Sequence, residues 1–410
     1  MRFGGNLVLT RLLFPEAFGL MTLVTALMVG AAMLTDIGIT PGVVRDARGE
    51  DPAFLHTAWL LQIGHGVVMT LAMCVLAGPM ASHFAQPELT GLIFATAMVP
   101  LISGFASINL ALASRRVQSR PLVMLEMAVQ LTTLLIIVAL ALWQASVWAI
   151  VWGNVAGALL RVGASHLFVR GVAARLKFDR SAARSIMHFG GWVTINSTLT
   201  FAVGEGSKLI GGSILSLKTL GLLGIATGLS GLMVQAVHMI VSRSLFPAYA
   251  EVFRSGDMPR FARMIERSRA MQVGIGCTVC IALSAMGPWI VQLLYDKRYA
   301  DAGRILQILA WGQIGGLLAM SYGGVLWAMS KVKLSAALLA IQTLATWLCM
   351  WLGNRWGGEV GVIWGMAAAN FVTYPVHAFV YYRLGLFSVR VDLPALAASA
   401  ALLALLLTVL

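Results

Sequence analysis

Apolar stretches of roughly 20 residues, the length that crosses a bilayer as a helix, recur along this chain with few charges inside them. No other feature restricts the fold so much. At 1.5 Å rise per residue, such a stretch covers the ~30 Å of a hydrocarbon core. Of 410 residues, 59% are hydrophobic and 11% are charged, where a soluble globule has about 25% charged. Backbone groups in hydrocarbon must be satisfied internally, so continuous apolar runs read as helices, whereas a β-barrel needs short alternating segments. The chain is therefore predicted to be an all-α polytopic membrane protein. No small-residue cleavage site follows the first apolar stretch, so no cleavable signal peptide is expected.

Full spans are predicted at about 17–40, 56–79, 89–113, 121–143, 147–170, 188–214, 220–246, 270–295, 303–328, 332–353, 359–383 and 392–410. Residues 1–10 read as the tail of an earlier span. Counting that remnant as span 1, the full spans are 2 to 13. Loops after even-numbered spans hold most of the basic residues, among them Arg45, Arg48, Arg115, Arg116, Arg175, Lys177, Arg254, Arg260, Arg263, Arg267, Arg269, Arg383 and Arg390. Loops after odd-numbered spans hold only Arg11, Lys218, Lys297, Arg298, Arg304 and Arg355. The basic loops are expected on the cytoplasmic side, which places the N-terminus of the full-length chain there too. The net charge of +13 follows from these short loops. It points to attraction for membrane lipids and not to nucleic acid. Cys74, Cys277, Cys280 and Cys349 all lie in apolar segments; Cys277 and Cys280 read as small apolar side chains, not as a redox or zinc pair.

The chain also repeats itself. "FPEAFGLMTLVTALMVG" (14–30) resembles "SLKTLGLLGIATGLSGL" (216–232), and "LAGPMASHF" (76–84) matches "SAMGPWIVQLL" (284–294) through Gly-Pro. In each half the next span ends in a basic segment, "ALASRRVQSR" (111–120) or "WAMSKVKLS" (327–335). Matches in the same order at similar spacing indicate duplication. Spans 1–6 then repeat as spans 7–12. Six is even, so two six-helix bundles of like orientation are expected, related by a pseudo-twofold axis along the membrane normal. The expected organisation is an N-terminal bundle over 1–170 with its first helix truncated, a basic cytoplasmic linker over 171–187, a C-terminal bundle over 188–383, and an additional transmembrane helix over 384–410. The truncation reads as a late start or a fragment; a chain lacking one wall of its first bundle is the alternative.

Four segments then carry a family resemblance. "RLLFPEAFGL" (11–20) resembles the corner after the first helix of bacterial polysaccharide exporters, and "TDIGITPGVVRD" (35–46) the end of their second helix. "KLIGGSILSLKTLGLLGIATGL" (208–229) is similar to their seventh-to-eighth helix corner, and "SLFPAYAEVFRSGDMPRF" (244–261) to the exit from helix eight. These exporters are the lipid-linked oligosaccharide flippases of the multidrug/oligosaccharidyl-lipid/polysaccharide superfamily. The resemblance implies a pair of six-helix bundles around a central cavity, alternating access without ATP hydrolysis, and a place in a bacterial inner membrane. It also implies polysaccharide polymerase and export machinery as protein partners.

Ionisable residues inside spans are costly and usually face a cavity or a partner. Glu205 and Lys208 are three apart and either neutralise each other or face a cavity. Arg161 lies deeper, with no acidic residue within four positions, and needs water, a neighbouring helix or an anionic substrate. Arg243 either snorkels or joins it. Glu205, together with Asp36 and Glu126 near span ends and His65 and His238 deeper in, is a candidate for proton or sodium coupling; the last four are candidates as well for interfacial solvation or helix-to-helix hydrogen bonds. A lipid diphosphate cannot cross hydrocarbon unassisted. Arg161, Lys208 and Arg243 would neutralise it, while Asn154, Asn196, Gln235 and Gln313 would bond sugar hydroxyls or act as helix glue. No cofactor is expected beyond an ion gradient. The rival readings are a multidrug or cation antiporter of the same superfamily, a polysaccharide-polymerising membrane enzyme, and a non-transporting remnant. The sequence holds neither D-x-D nor G-x-x-x-x-G-K-[ST], and no outer loop is large enough for a catalytic pocket, which disfavours the enzyme.

Overall fold

In the computed structural model the described residues are 9–116, 119–169, 171–172, 175–240, 245, 249, 251–253, 256–322, 325–329 and 331–409. Among them there is no strand, and the chain is a multi-pass helical membrane protein. Two compact units meet in sequence at Ser213 and Ile214. Among the described residues seven helices are long and apolar enough to cross a membrane, or eight if one bent pair counts as a span. Twelve spans were expected, and the helix over 333–383 holds two of them. Polar residues account for part of the difference, as in the helices over 180–212 and 302–320.

Unit 1 begins with α1 (Pro15–Leu34), started by Pro15 at the first helical position with Glu16 in the first turn. Proline has no N–H to orphan there, and the carboxylate suits the positive end of the helix dipole. The corner "RLLFPEAFGL" is thus a helix start, and before it Leu9 and Leu13 pack with Ile137, Ala141, Ala149 and Ile150. Short α2 (Ile39–Arg45) follows a break at which Gly38 takes φ 60°. Then come α3 (Pro52–His83), α4 (Glu88–Thr96), α5 (Met98–Gly104) and α6 (Asn109–Arg115). The expected span 4 is bent by 62° between α5 and α6. The hairpin α7 (Ser119–Trp143) and α8 (Val147–Phe168) is followed by α9 (Arg180–Val203) and α10 (Glu205–Gly212), which break at Gly204.

The second bundle was expected to open at residue 188, but α9 and α10 lie in unit 1 and pack on α1, α2 and α3. The expected linker 171–187 is also partly helical, because α9 starts at Arg180 with Asp179 as its N-cap. The contact is close for a steric reason. A side chain at Gly190 would run into the carbonyl of Ile37, and one at Gly30 into the Phe201 ring. Small residues let helices approach in lipid, where no hydrophobic force drives them together.

Unit 2 is built around α13 (Ala302–Met320), which is buried along most of its length. It packs against α11 (Leu217–Ile240), α12 (Met258–Leu294), α15 (Val332–Arg383) and α16 (Val389–Val409). Short α14 (Val325–Ala328) precedes α15. The 37 residues of α12 rise about 55 Å, well past a ~30 Å core. Its first turns therefore stand at the arginine-rich end of the unit, where Phe261 and Ile265 pack with Tyr249, Tyr322 and Tyr381. The long α15 is two helices folded back at Gly358, φ 56°, matching the separate spans expected at 332–353 and 359–383. There Glu359 accepts hydrogen bonds from Ser216 N–H (2.6 Å) and Thr219 Oγ1 (2.5 Å), closing the start of α11.

Candidate functional site

The broken helices of unit 1 bring its polar residues together. At the α1–α2 break the backbone leaves the helical pattern inside an expected span, a conformation tolerated at membrane depth only where protein or a wet cavity satisfies it. Thr35 Oγ1 donates its one hydrogen to Ala31 O at 2.6 Å. It is also hydrogen-bonded to His65 Nε2 at 2.9 Å. Asp36 Oδ1 accepts from Gly38 N–H (2.8 Å), and Oδ2 from Ser197 Oγ of α9 (3.3 Å). Thr194 Oγ1, one turn earlier on α9, shares its hydrogen between the Asp36 carbonyl at 2.5 Å and its own helix's Gly190 carbonyl at 3.0 Å. A carboxylate, an imidazole and three hydroxyls from three elements thus surround one unwound turn. Asp36 and His65 were separate expectations in sequence; Thr194 and Ser197 carried no signal there.

The other breaks are held by side chains as well. Gln62 Nε2 donates to Gly104 O (3.0 Å) and Ala106 O (2.9 Å), and Trp59 Nε1 to Ala106 O (3.2 Å), across the α5–α6 bend. Below the α9–α10 break, Lys208 Nζ donates to Glu205 Oε1 at 2.7 Å. Glu205 Oε2 is buried and has no hydrogen-bond partner. Of the two readings of this pair, the intrahelical ion pair forms; the orphaned oxygen leaves room for a second donor.

Arg161 finds the partner that its own helix lacks. Its Nη2 lies 3.6 Å from Glu126 Oε1 of α7, and both side chains are about half exposed, 48% and 58%. Each of these charges inside a membrane-length helix thus has its counter-charge on the neighbouring helix of the hairpin. Asn154 is half-buried on α8, and Gln313 half-buried on α13 in unit 2. The amide network of unit 2 runs elsewhere: Gln342 Nε2 donates to Asn370 Oδ1, and Asn370 Nδ2 to Gly312 O, each at 3.1 Å. Arg243 and the side chains of Asn196, Gln235 and His238 lie outside the described residues. Cys277 and Cys280 are buried thiols, and among the described residues no cluster of metal-ligating side chains occurs.

At the arginine-rich end of unit 1 the polar groups are tightly paired. Arg115 Nη1 donates to the carbonyls of Val43 (2.8 Å), Val44 (3.1 Å) and Asp46 (2.5 Å). Arg116 bonds Glu50 at 2.7 Å and holds its carboxyl below the usual range. Asp46 is held down chiefly by the Ser185 hydroxyl at 2.6 Å, with Arg48 adding to it.

One ionic centre was misread in sequence. Arg269, grouped with the loop cations, is fully buried in unit 2. Its Nη2 donates to Asp392 Oδ1 of α16 at 2.5 Å and its Nε to Ser321 Oγ at 3.0 Å, and its guanidinium lies 3.5 Å over the Tyr322 ring. Tyr374 donates to Asp392 Oδ2 at 2.8 Å. The signal was available: Arg269 lies eight residues beyond Phe261 and four beyond Ile265, on the same apolar face.

The sequence profile described as "Polysaccharide biosynthesis protein" matches residues 8–304. The chain is 22% identical over 378 residues to the lipopolysaccharide biosynthesis protein WzxC of Escherichia coli (strain K12), spanning 92% of this chain and 76% of that one. It is 22% identical over 368 residues to the succinoglycan biosynthesis transport protein ExoT of Rhizobium meliloti (strain 1021), spanning 84% and 72%. In fold it is similar to an inward-facing MATE-family multidrug transporter of the MOP superfamily, with TM-score 0.75, 13% identity and 94% of each chain covered. It is also similar to the lipid II flippase MurJ, with TM-score 0.66, 13% identity, and 99% and 90% covered.

Proposed function

The chain belongs to the polysaccharide biosynthesis protein family, and from that premise we propose that it is a transporter carrying a lipid-linked oligosaccharide across a bacterial inner membrane by alternating access. The observation that carries this reading is the family match over 8–304 on a multi-pass helical chain, supported by curated relatives whose names are those of polysaccharide biosynthesis and transport proteins. No step in it is enzymatic: the cargo turns over intact, its diphosphate head shielded from hydrocarbon while its lipid stays in the bilayer. The arginine-rich ends of both units face the cytoplasm, and so does the N-terminus of the full-length chain. The polymerase and export machinery that consume the cargo are its partners.

The α1–α2 break is the coupling site. Unwound backbone beside a carboxylate can take a proton or a sodium ion, as broken helices do in secondary transporters. A cation at Asp36 would compete with the Ser197 hydrogen bond, so loading and unloading would shift α9 against α1 and α2. Lys208 answers the cargo: an incoming diphosphate replaces Glu205 as its partner, and Arg161 and Arg243 add positive charge along the route.

The test is transfer of a fluorescent lipid-linked oligosaccharide by the full chain in proteoliposomes under an imposed proton or sodium gradient. Gradient-driven transfer is expected from the unaltered chain and is lost in Asp36→Asn, with cargo binding retained. Equal transfer with and without the gradient would remove Asp36 from coupling, and no transfer by the unaltered chain would overturn the function itself.

A further inference from the structure

The turn that leads from α15 into α16 folds at Gly385, φ 69°, and lays its next residues against the first turns of α12. Between them is a pocket of about 350 Å³ at the arginine-rich end of unit 2. Arg263 and Glu266 of α12 line it together with Phe387, Ser388 and Arg390 of the turn and α16. Glu266, the acidic residue of the lining, is engaged: its Oε1 accepts from Ser388 Oγ at 3.0 Å. Arg263 Nε donates to Pro259 O at 3.3 Å. Both arginines are exposed, and Arg260 and Arg267 stand exposed on the same end of α12.

We propose that this pocket binds the phosphate of an anionic phospholipid. Two guanidinium groups in one lining, from two different helices, match a phosphate's several acceptor oxygens better than any single cation would. Position argues for a lipid and not for a soluble anion. Arg390 sits at the first turn of a membrane-length helix, Val389–Thr408, which is headgroup depth. Val389 and Leu393, one turn apart on α16, are 57% and 62% exposed and offer an apolar flank to an acyl chain. Basic pockets between spans on the cytoplasmic side take lipid headgroups through this combination of charge and depth. Two residues beyond Arg390 on α16, Asp392 ties the helix to Arg269. The lipid would thus brace the same helix that the buried ion pair anchors.

The experiment uses the full chain in neutral detergent, with retention of added phosphatidylglycerol or phosphatidylcholine read by native mass spectrometry. Phosphatidylglycerol is retained and phosphatidylcholine is not. Arg263→Gln with Arg390→Gln weakens that retention by about tenfold or more, the effect expected of two interfacial arginines. Arg260→Gln with Arg267→Gln, on the same helix but outside the lining, leaves it within a few-fold. Equal retention of the two lipids by the unaltered chain would overturn the proposal, whatever the variants do. Equal loss in the control pair would assign the effect to diffuse charge, and displacement of the lipid by inorganic phosphate at matching concentration would assign the pocket to a soluble anion; either result ends the lipid assignment. Where the double variant does not fold, Arg390→Gln alone and the comparison of the two lipids decide.

Discussion

At the scale of the residue, pairing decides which charges matter. Arg269 and Asp392 are buried together, so removing one partner leaves the other uncompensated in a dry interior. Arg269→Met is expected to lower stability by about 3–5 kcal/mol, while Arg269→Met with Asp392→Leu recovers most of it; thermal unfolding in detergent measures both. Asp46 behaves differently because it is near the surface. Its folded carboxyl is held below its ordinary value, chiefly by Ser185. Its contribution is therefore complete above the unfolded value near about 3.9 and is lost only as pH falls through the lower folded value. An acid titration of the unaltered chain against Asp46→Asn should show a stability gap that is constant around neutrality and narrows below about pH 4. A gap that narrowed between pH 6 and 8 would contradict the assignment. Sequence could name Asp36 and His65 because an ionisable group inside an apolar run is visible as such. It could not name Thr194 and Ser197, since a hydroxyl in a helix ordinarily bonds its own backbone, as Thr194 does with Gly190 O at 3.0 Å, and only the packing of α9 on α1 and α2 brings Asp36 within reach.

At the scale of the element, breaks in helices organise unit 1. The α1–α2 break needs Gly38 in the left-handed region, where a side chain costs about 1–2 kcal/mol. It also needs Gly190, because α9 rests against the Ile37 carbonyl there. Gly190→Val should push α9 away, separating Thr194 and Ser197 from Asp36. The expected outcome is a chain that still inserts but has lost its gradient dependence in the transfer assay, with faster amide exchange over residues 35–38; unchanged exchange there would sink the idea. The spans themselves were legible, since an apolar run of bilayer length has few other interpretations. Where each span packs was not. The repeat placed 188–214 in the second bundle by sequence order, whereas α9 and α10 complete unit 1 through glycine contacts that a hydropathy pattern does not encode. Span 4 was read as one helix because its bend carries no proline at the break; Gln62 and Trp59, from a different helix, satisfy the exposed carbonyls instead.

At the scale of the whole molecule, orientation rests on charge alone. The basic residues that define one end of each unit include Arg184 at the start of α9 and Arg267 on the first turns of α12, both exposed. Lys218 at the start of α11 and Arg355 beside the Gly358 fold are exposed too and belong to the sparsely charged loops. Positive charge is retained on the cytoplasmic side during insertion, so the two groups should stand on opposite sides of the membrane. Single cysteines at these four positions make that measurable. The native thiols are no obstacle: Cys277 and Cys280 are buried, Cys74 and Cys349 are half-buried, and all four lie within long apolar helices. In intact cells a membrane-impermeant maleimide should label Lys218→Cys and Arg355→Cys. Arg184→Cys and Arg267→Cys should label only after the membrane is opened. The two units provide independent readings, since each contributes at least one position to the protected set. Labelling of Arg184→Cys in intact cells with Arg267→Cys still protected would mean the units are inserted in opposite senses. In that case the like-oriented duplication inferred from "FPEAFGL" and "SLKTLGL" would be wrong, and alternating access would need a different symmetry.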